Sequence, residues 1–249
     1  AEQALREEVR HLVGALLLSR IIRSRTEGQD MVGLLLPASV GGALANIATL
    51  FAGRVPVNLN FTAGAAAMAD ARAQCDIRTV ITSRRFLDKA GLDATPDMVF
   101  LEDLRSEITP IRKIAALARA RILPAAWLRR SLGRPDWTAS TPAAVIFSSG
   151  STGQPKGVVL THANLLANVD SLAQIFPMEP SDCFIGVLPF FHSFGLTGTI
   201  WFPLLQGCSV AYHPNPMDAK TVGEMAETYK GSMLISTPTR RPWIGPLCG

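Results

Sequence analysis

Met31 to Asn60 reads MVGLLLPASVGGALANIATLFAGRVPVNLN, and how this stretch divides decides the fold. Met31 to Gly53 carries no charge over 23 residues, close to the roughly 20 apolar residues that cross a bilayer. Pro37, Gly41, Gly42 and Asn46 interrupt it, however. The run separates into a short buried strand, MVGLLLP, and a helix, VGGALANIATLFAG, followed by a second strand in GRVPVNLN.

The same alternation continues outward. IRTVITS, DMVFLED, AAVIFSS, GVVLTH, CFIGVLPF, GCSVAYH and SMLISTPT are short apolar or β-branched runs bounded by Gly, Pro, Asp or Ser. Helical patterns lie at 41–52, 63–74, 162–175 and 218–229. Strand and helix in turn predict an α/β fold with largely parallel sheets flanked by helices. The chain has 249 residues, 48% of them hydrophobic and 18% charged, which excludes disordered, collagen-like and disulfide-stapled classes. Basic, Pro-containing sequence at 105–141 breaks the alternation, so two sub-domains are expected, 1–134 and 135–239, with a boundary between 125 and 142. No fixed-period repeat is present.

At the start, AEQALREEVRHLVGALLL is acidic where a secretory signal is basic, and it lacks an initiator Met. It reads as a fragment boundary ahead of an amphipathic helix with Leu5, Val9, Leu12 and Leu16 on one face. Cys75, Cys183, Cys208 and Cys248 form no C-x-x-C pair, and the four histidines cluster with none of them. No protein metal site is expected, and a reducing cytoplasmic location is.

Residues 105–134 hold Arg105, Arg112, Lys113, Arg119, Arg121, Arg129, Arg130 and Arg134 against Glu107 alone, a local net of +7 that leaves −3 for the rest. Ile111, Ile114, Leu117, Ala118 and Ile122 recur at helical spacing within it. Such a segment suits an anionic lipid surface or an acidic protein; the other reading is a solvated helix with its apolar side on the domain. Nucleic acid is not expected, because no stacking aromatics accompany the arginines.

The most specific chemistry lies in Ser148–Gly157, SSGSTGQPKG, between the strands AAVIF and GVVLTH. Its glycines let backbone N–H groups converge, its hydroxyls add donors and Lys156 adds a cation, a set that suits phosphate oxygens. It is not the Walker A loop, since Lys156 follows Pro155, precedes Gly157 and leads into a strand.

This loop resembles the hydroxyl-Ser-Gly-Ser-Thr-Gly-x-Pro-Lys-Gly signature of the adenylate-forming (AMP-dependent synthetase/ligase) superfamily, which includes acyl-CoA synthetases, adenylation domains and luciferases. AGRVPVNLNFTAG, Ala52–Gly64, is similar to an early motif of that family, and LPFFHSFGLT, Leu188–Thr197, to its substrate-pocket motif. TSRRFLDKAGL and VFLEDLRSEIT, with the stretch after Leu188, look most like one branch, the acyl-[acyl-carrier-protein] synthetase half of bifunctional 2-acylglycerophosphoethanolamine acyltransferases.

The resemblance implies ATP- and Mg²⁺-dependent activation of a long-chain fatty acid to acyl-adenylate. Transfer follows to a phosphopantetheine thiol of acyl carrier protein, or of coenzyme A as the alternative acceptor. It assigns Ser148, Ser149, Gly150, Ser151, Thr152, Gly153 and Lys156 to ATP binding and His192, among Phe190, Phe191 and Phe194, to the acyl and thiol pocket. His192 beside three phenylalanines also reads, on its own, as a satisfied core residue. Peripheral contact with the cytoplasmic face of a membrane through residues 105–134 is an expectation from their charge and apolar spacing alone.

Relatives carry further motifs downstream, including the aromatic-x-Thr-Glu segment and a lysine on a small mobile C-terminal domain. These C-terminal parts are expected to be missing from the chain, which therefore turns over little alone. Arg240–Gly249, with two prolines, is expected to be a tail from truncation or frameshift. The alternative function is a non-catalytic remnant that binds nucleotide, membrane or carrier. His213 precedes Asp218 by five positions, a spacing read as chance.

Overall fold

The structure is a computed structural model that describes residues 2–122, 132, 136–148 and 155–236, with backbone alone for 2–11 and 119–121. Ala1–Pro37 with Gly41–Leu166 form one compact unit, and Ala38–Val40 with Ala167–Gly249 a second.

In the first unit Met31–Asn60 folds as a strand–helix–strand: β1 (Met31–Leu34), α2 (Val40–Phe51) and β2 (Val55–Asn58), after the long helix α1 (Glu2–Arg25). β1 and β2 pair in parallel, Met31 opposite Val55 and Leu34 opposite Asn58. α3 (Ala65–Gln74), β3 (Val80–Thr82), α4 (Arg84–Ala90), β4 (Met98–Phe100), α5 (Leu101–Ser106), α6 (Pro110–Ile122), β5 (Pro142–Ser148) and β6 (Lys156–Thr161) complete it. The sheet order is β4-β3-β1-β2-β5-β6, parallel except for β6, which runs antiparallel to β5.

The β1–β2 and β2–β3 connections run in opposite directions along the sheet, and right-handed crossovers send their helices to opposite faces. Ala15, Leu18 and Ile22 of α1, Ala45 and Ala48 of α2 and Leu104 of α5 accordingly pack with Val32 and Leu34 in one core layer. Ala71 of α3 and Leu87 of α4 pack with Val55, Val57, Val80 and Val145 in the other.

Asn46, which interrupts the uncharged run, is fully buried and exchanges amide hydrogen bonds with buried Asn58 at 3.1 and 2.7 Å. Its Nδ2 also donates to the Gly42 carbonyl at 2.9 Å. The pair fastens α2 to β2 and satisfies both amides inside an apolar layer.

The second unit is built on a three-stranded parallel sheet, β8-β7-β9, of β7 (Cys183–Gly186), β8 (Ser209–Tyr212) and β9 (Met233–Ile235). α7 (His162–Ile175) begins in the first unit and ends in the second. Then come α8 (Ser193–Leu196), a π-helical turn (Thr197–Trp201), α9 (Phe202–Gln206) and α10 (Ala219–Thr228). Cys183, Ile185, Val187, Ala211 and Val222 form its core with Met225 and Leu234.

Three expectations need correction. The units part at Leu166, not between 125 and 142, because β5 joins β2, Val145 opposite Val57, and brings β6 with it. The basic stretch therefore interrupts a unit instead of separating two. Secondly, Leu12 of the expected α1 stripe is exposed, and the helix buries Val13, Ala15, Leu17, Leu18, Ile21 and Ile22; Leu5 and Val9 lie outside the described side chains. The helix runs on to Arg25, and its apolar second half selects the buried face. Thirdly, Ile111, Ile114 and Ile122 of α6 point away from the domain, at 79%, 69% and 78% exposure. Residues 240–249 lie outside the described part. Among the described residues no helix is long and apolar enough to cross a membrane.

Candidate functional site

The β5–β6 hairpin holds the two ends of the Ser/Gly loop. Phe147 stands opposite Gly157, and the terminal pair is Ser148 opposite Lys156. Both members of that pair are exposed. Ser149, Gly150, Ser151, Thr152 and Gly153 lie outside the described residues. Among the described residues Lys156 makes no ion pair. A Cβ on Gly157 would lie 3.2 Å from the Phe147 ring, a tight approach that explains glycine after the lysine.

A residue that local sequence does not reveal brackets Lys156. Gln74, the last residue of α3, donates from Nε2 to the Pro155 carbonyl at 2.9 Å, and its Oε1 accepts from the Gly157 N–H at 3.4 Å. The same Nε2 reaches Asp70 at 2.8 Å. One amide thus engages the backbone on both sides of the lysine and restrains where its side chain leaves the strand. No signal in the sequence joins positions 74 and 156.

Where β6 passes into α7, the His162 ring lies 5.0 Å from the Trp137 ring, and burial pushes its imidazole below the ordinary range.

In the second unit the segment after β7 turns through LPFFHSFGLT. The His192 N–H donates to the Pro189 carbonyl at 3.2 Å, and α8 begins at the next residue. Gly195 is required here, since a Cβ would fall 2.2 Å from the Pro189 oxygen. The helix then loosens into its π turn, a feature often found at functional sites. The Thr199 carbonyl in that turn accepts from the Tyr212 hydroxyl at 2.6 Å, and burial pushes the Tyr212 pKa well up, keeping it a donor.

Phe190 and Phe191 are buried, whereas Phe194 is 47% exposed. His192 is exposed with its ring 4.6 Å from that of Phe191, so it is not the satisfied core residue of one sequence reading. His213 and Asp218 do meet, Nε2 to Oδ2 at 3.4 Å. Asp218 also accepts from the Thr221 N–H and caps α10, which gives their spacing a structural role. Among the described residues no group of His, Cys, Asp or Glu could hold a metal ion.

A family model for AMP-binding enzymes matches residues 5–240. The chain belongs to the AMP-binding enzyme family. Two relatives of this AMP-binding chain illustrate the resemblance. The sulfoacetate–CoA ligase of Cupriavidus necator is 31% identical over 186 residues, 72% of this chain and 34% of that protein. The medium-chain-fatty-acid–[acyl-carrier-protein] ligase TtuA of Teredinibacter turnerae is 49% identical over 63 residues, 25% of this chain and 10% of its own length. O-succinylbenzoate coenzyme A synthetase (MenE) of Bacillus subtilis, solved in complex with ATP and magnesium ion, shares the fold. Its TM-score is 0.67 at 18% identity, over 90% of this chain and 43% of that one. The AMP-binding chain thus spans less than half of that solved relative.

Proposed function

We propose that the protein is an AMP-forming acid–thiol ligase that activates a long-chain fatty acid with ATP and passes the acyl group to the phosphopantetheine thiol of acyl carrier protein. Coenzyme A is the alternative acceptor. The observation that supports this most is Lys156, exposed opposite Ser148 at the end of the β5–β6 hairpin.

A carboxylate oxygen attacks the α-phosphorus, the bond from that phosphorus to the β-bridging oxygen breaks, and pyrophosphate leaves with the electron pair. The thiolate then attacks the acyl carbon and AMP departs. Lys156 holds the β- and γ-phosphates and stabilises the charge that develops on pyrophosphate, helped by the donors of Ser148–Gly153. A cation with no ion-pair partner among the described residues fits a polyphosphate. Mg²⁺, when bound with the nucleotide, would screen phosphate charge. His192, exposed beside Phe191, is assigned to the acyl and thiol pocket. The protein works at the cytoplasmic face of a membrane that it touches through residues 105–134.

Fatty-acid-dependent exchange of labelled pyrophosphate into ATP tests the reading. Exchange that requires a fatty acid is expected where these residues are joined to the further adenylation motifs of the family, and little from residues 1–249 alone. Nucleotide binding with no exchange under any acid would favour a non-catalytic binding module instead.

A further inference from the structure

α1 and α6 border a cleft that their side chains do not fill. Leu17, Arg20, Ile21 and Ser24, three and four residues apart and so on one side of α1, line it together with Arg112, Ala115 and Ala116 of α6. α6 thus brings two alanines where longer side chains would close the gap. The space amounts to about 490 Å³, within the roughly 300–1,000 Å³ usual for small-molecule sites. Side chains between packed helices interdigitate with few voids larger than a water molecule, so a space of this size is one that a ligand can enter.

The lining says what kind of molecule fits. It is apolar at Leu17 and Ile21, which are buried, and at Ile108, which is half-buried. It is cationic at Arg20 and Arg112, both exposed. The one acid among the lining residues, Glu107, is already paired with Arg25 at 2.7 Å. Arg112 donates from Nη1 to the Glu107 carbonyl at 3.2 Å, which holds its guanidinium beside the cleft and leaves the other N–H groups for a ligand. Among the described residues Arg20 makes no ion pair. Two guanidinium groups at an apolar wall, with the neighbouring carboxylate neutralised, match an anionic head on an alkyl chain.

We propose that the α1–α6 cleft binds an anionic amphiphile, with its carboxylate or phosphate on Arg20 and Arg112 and its alkyl chain along Leu17 and Ile21. The site shares no residue with the β5–β6 hairpin or with LPFFHSFGLT, and it does not depend on the ligase chemistry proposed above.

Calorimetry of the full chain with laurate and with dodecyl phosphate, each below its micellar concentration, tests it, with dodecanol as the uncharged control. An anion binds and dodecanol binds far more weakly; the tighter of the two anions tells a free fatty acid from a phosphate-headed lipid as the source. Arg20→Gln with Arg112→Gln weakens that binding at least about tenfold with an unchanged urea midpoint, because both side chains are exposed. Ala115→Leu, which puts a longer side chain into the cleft, weakens it by a similar factor. A diazirine-bearing laurate labels peptides within residues 16–25 and 107–117. Binding that both variants leave unchanged, or labelling confined to residues 188–197, would put the alkyl chain in the pocket assigned to His192 and overturn the proposal. Dodecanol binding as tightly as the anions would remove the role of the two arginines and overturn it as well, as would no binding of either anion.

Discussion

Replacing Asn46 with Ala probes the packing of the uncharged run most sharply. It removes both hydrogen bonds to Asn58, at 3.1 and 2.7 Å, and the 2.9 Å bond to Gly42. Asn58 is 4% exposed, so its amide is stranded where water cannot reach it. A stranded buried group costs about 1–3 kcal/mol and each lost bond about 1 kcal/mol, partly offset by roughly 0.6 kcal/mol of better helix propensity for Ala. The expected loss is about 3–5 kcal/mol from a stability of about 5–15 kcal/mol. Asn58→Ala on top removes the stranded amide, so the double variant should fall short of additivity by about 1–2 kcal/mol. Hydrogen exchange of peptides spanning residues 31–60, measured through a urea series, reads this locally. A loss for Asn46→Ala below about 0.5 kcal/mol, or an additive double variant, would refute the claim that this pair fastens α2 to β2.

Other substitutions test the sites. Gly195→Ala drives a Cβ to 2.2 Å from the Pro189 carbonyl oxygen and should destabilise the second unit by about 3 kcal/mol, whereas Gly223→Ala, in open space within α10, should stabilise it by about 0.5–1 kcal/mol; thermal melts compare the two. Gln74→Glu keeps an acceptor for Gly157 but loses the donor to Pro155 and adds negative charge beside Asp70, so calorimetry should show Mg·ATP affinity falling about three- to tenfold, more than for Gln74→Ala. His162 has a folded-state pKa below the usual 6.5 because burial disfavours its cation, so the unfolded chain binds the proton more readily. Its contribution is complete above pH 6.5 and is lost as pH falls from there towards the folded value; urea titrations of His162→Gln should be flatter over that window than wild type.

Much of the fold is legible because short apolar runs bounded by Gly and Pro are strong strand signals. Every strand of the structure lies within, or starts one residue outside, a run named from sequence. What escapes depends on distance or direction. α4 carries a legible start, Ser83 accepting from the Phe86 N–H, and a legible stop, Gly91 with φ 64°, yet its seven residues are too few to show periodicity. Periodicity also identifies the α6 stripe without saying which way it faces. Composition places the unit boundary too early because it does not tell which sheet a strand joins. At the site, Ser148 and Lys156 are legible from the motif, while Gln74 acts through the backbone of a segment some eighty residues away.

The most direct test of the central claim is the dissociation constant of Mg·ATP, measured by calorimetry for the wild-type chain and for Lys156→Ala. A charged phosphate contact contributes about 1.5–3 kcal/mol, so binding should weaken roughly 10- to 100-fold with unchanged thermal stability. Equal affinities for the two proteins would contradict the assignment of the β5–β6 hairpin to phosphate binding.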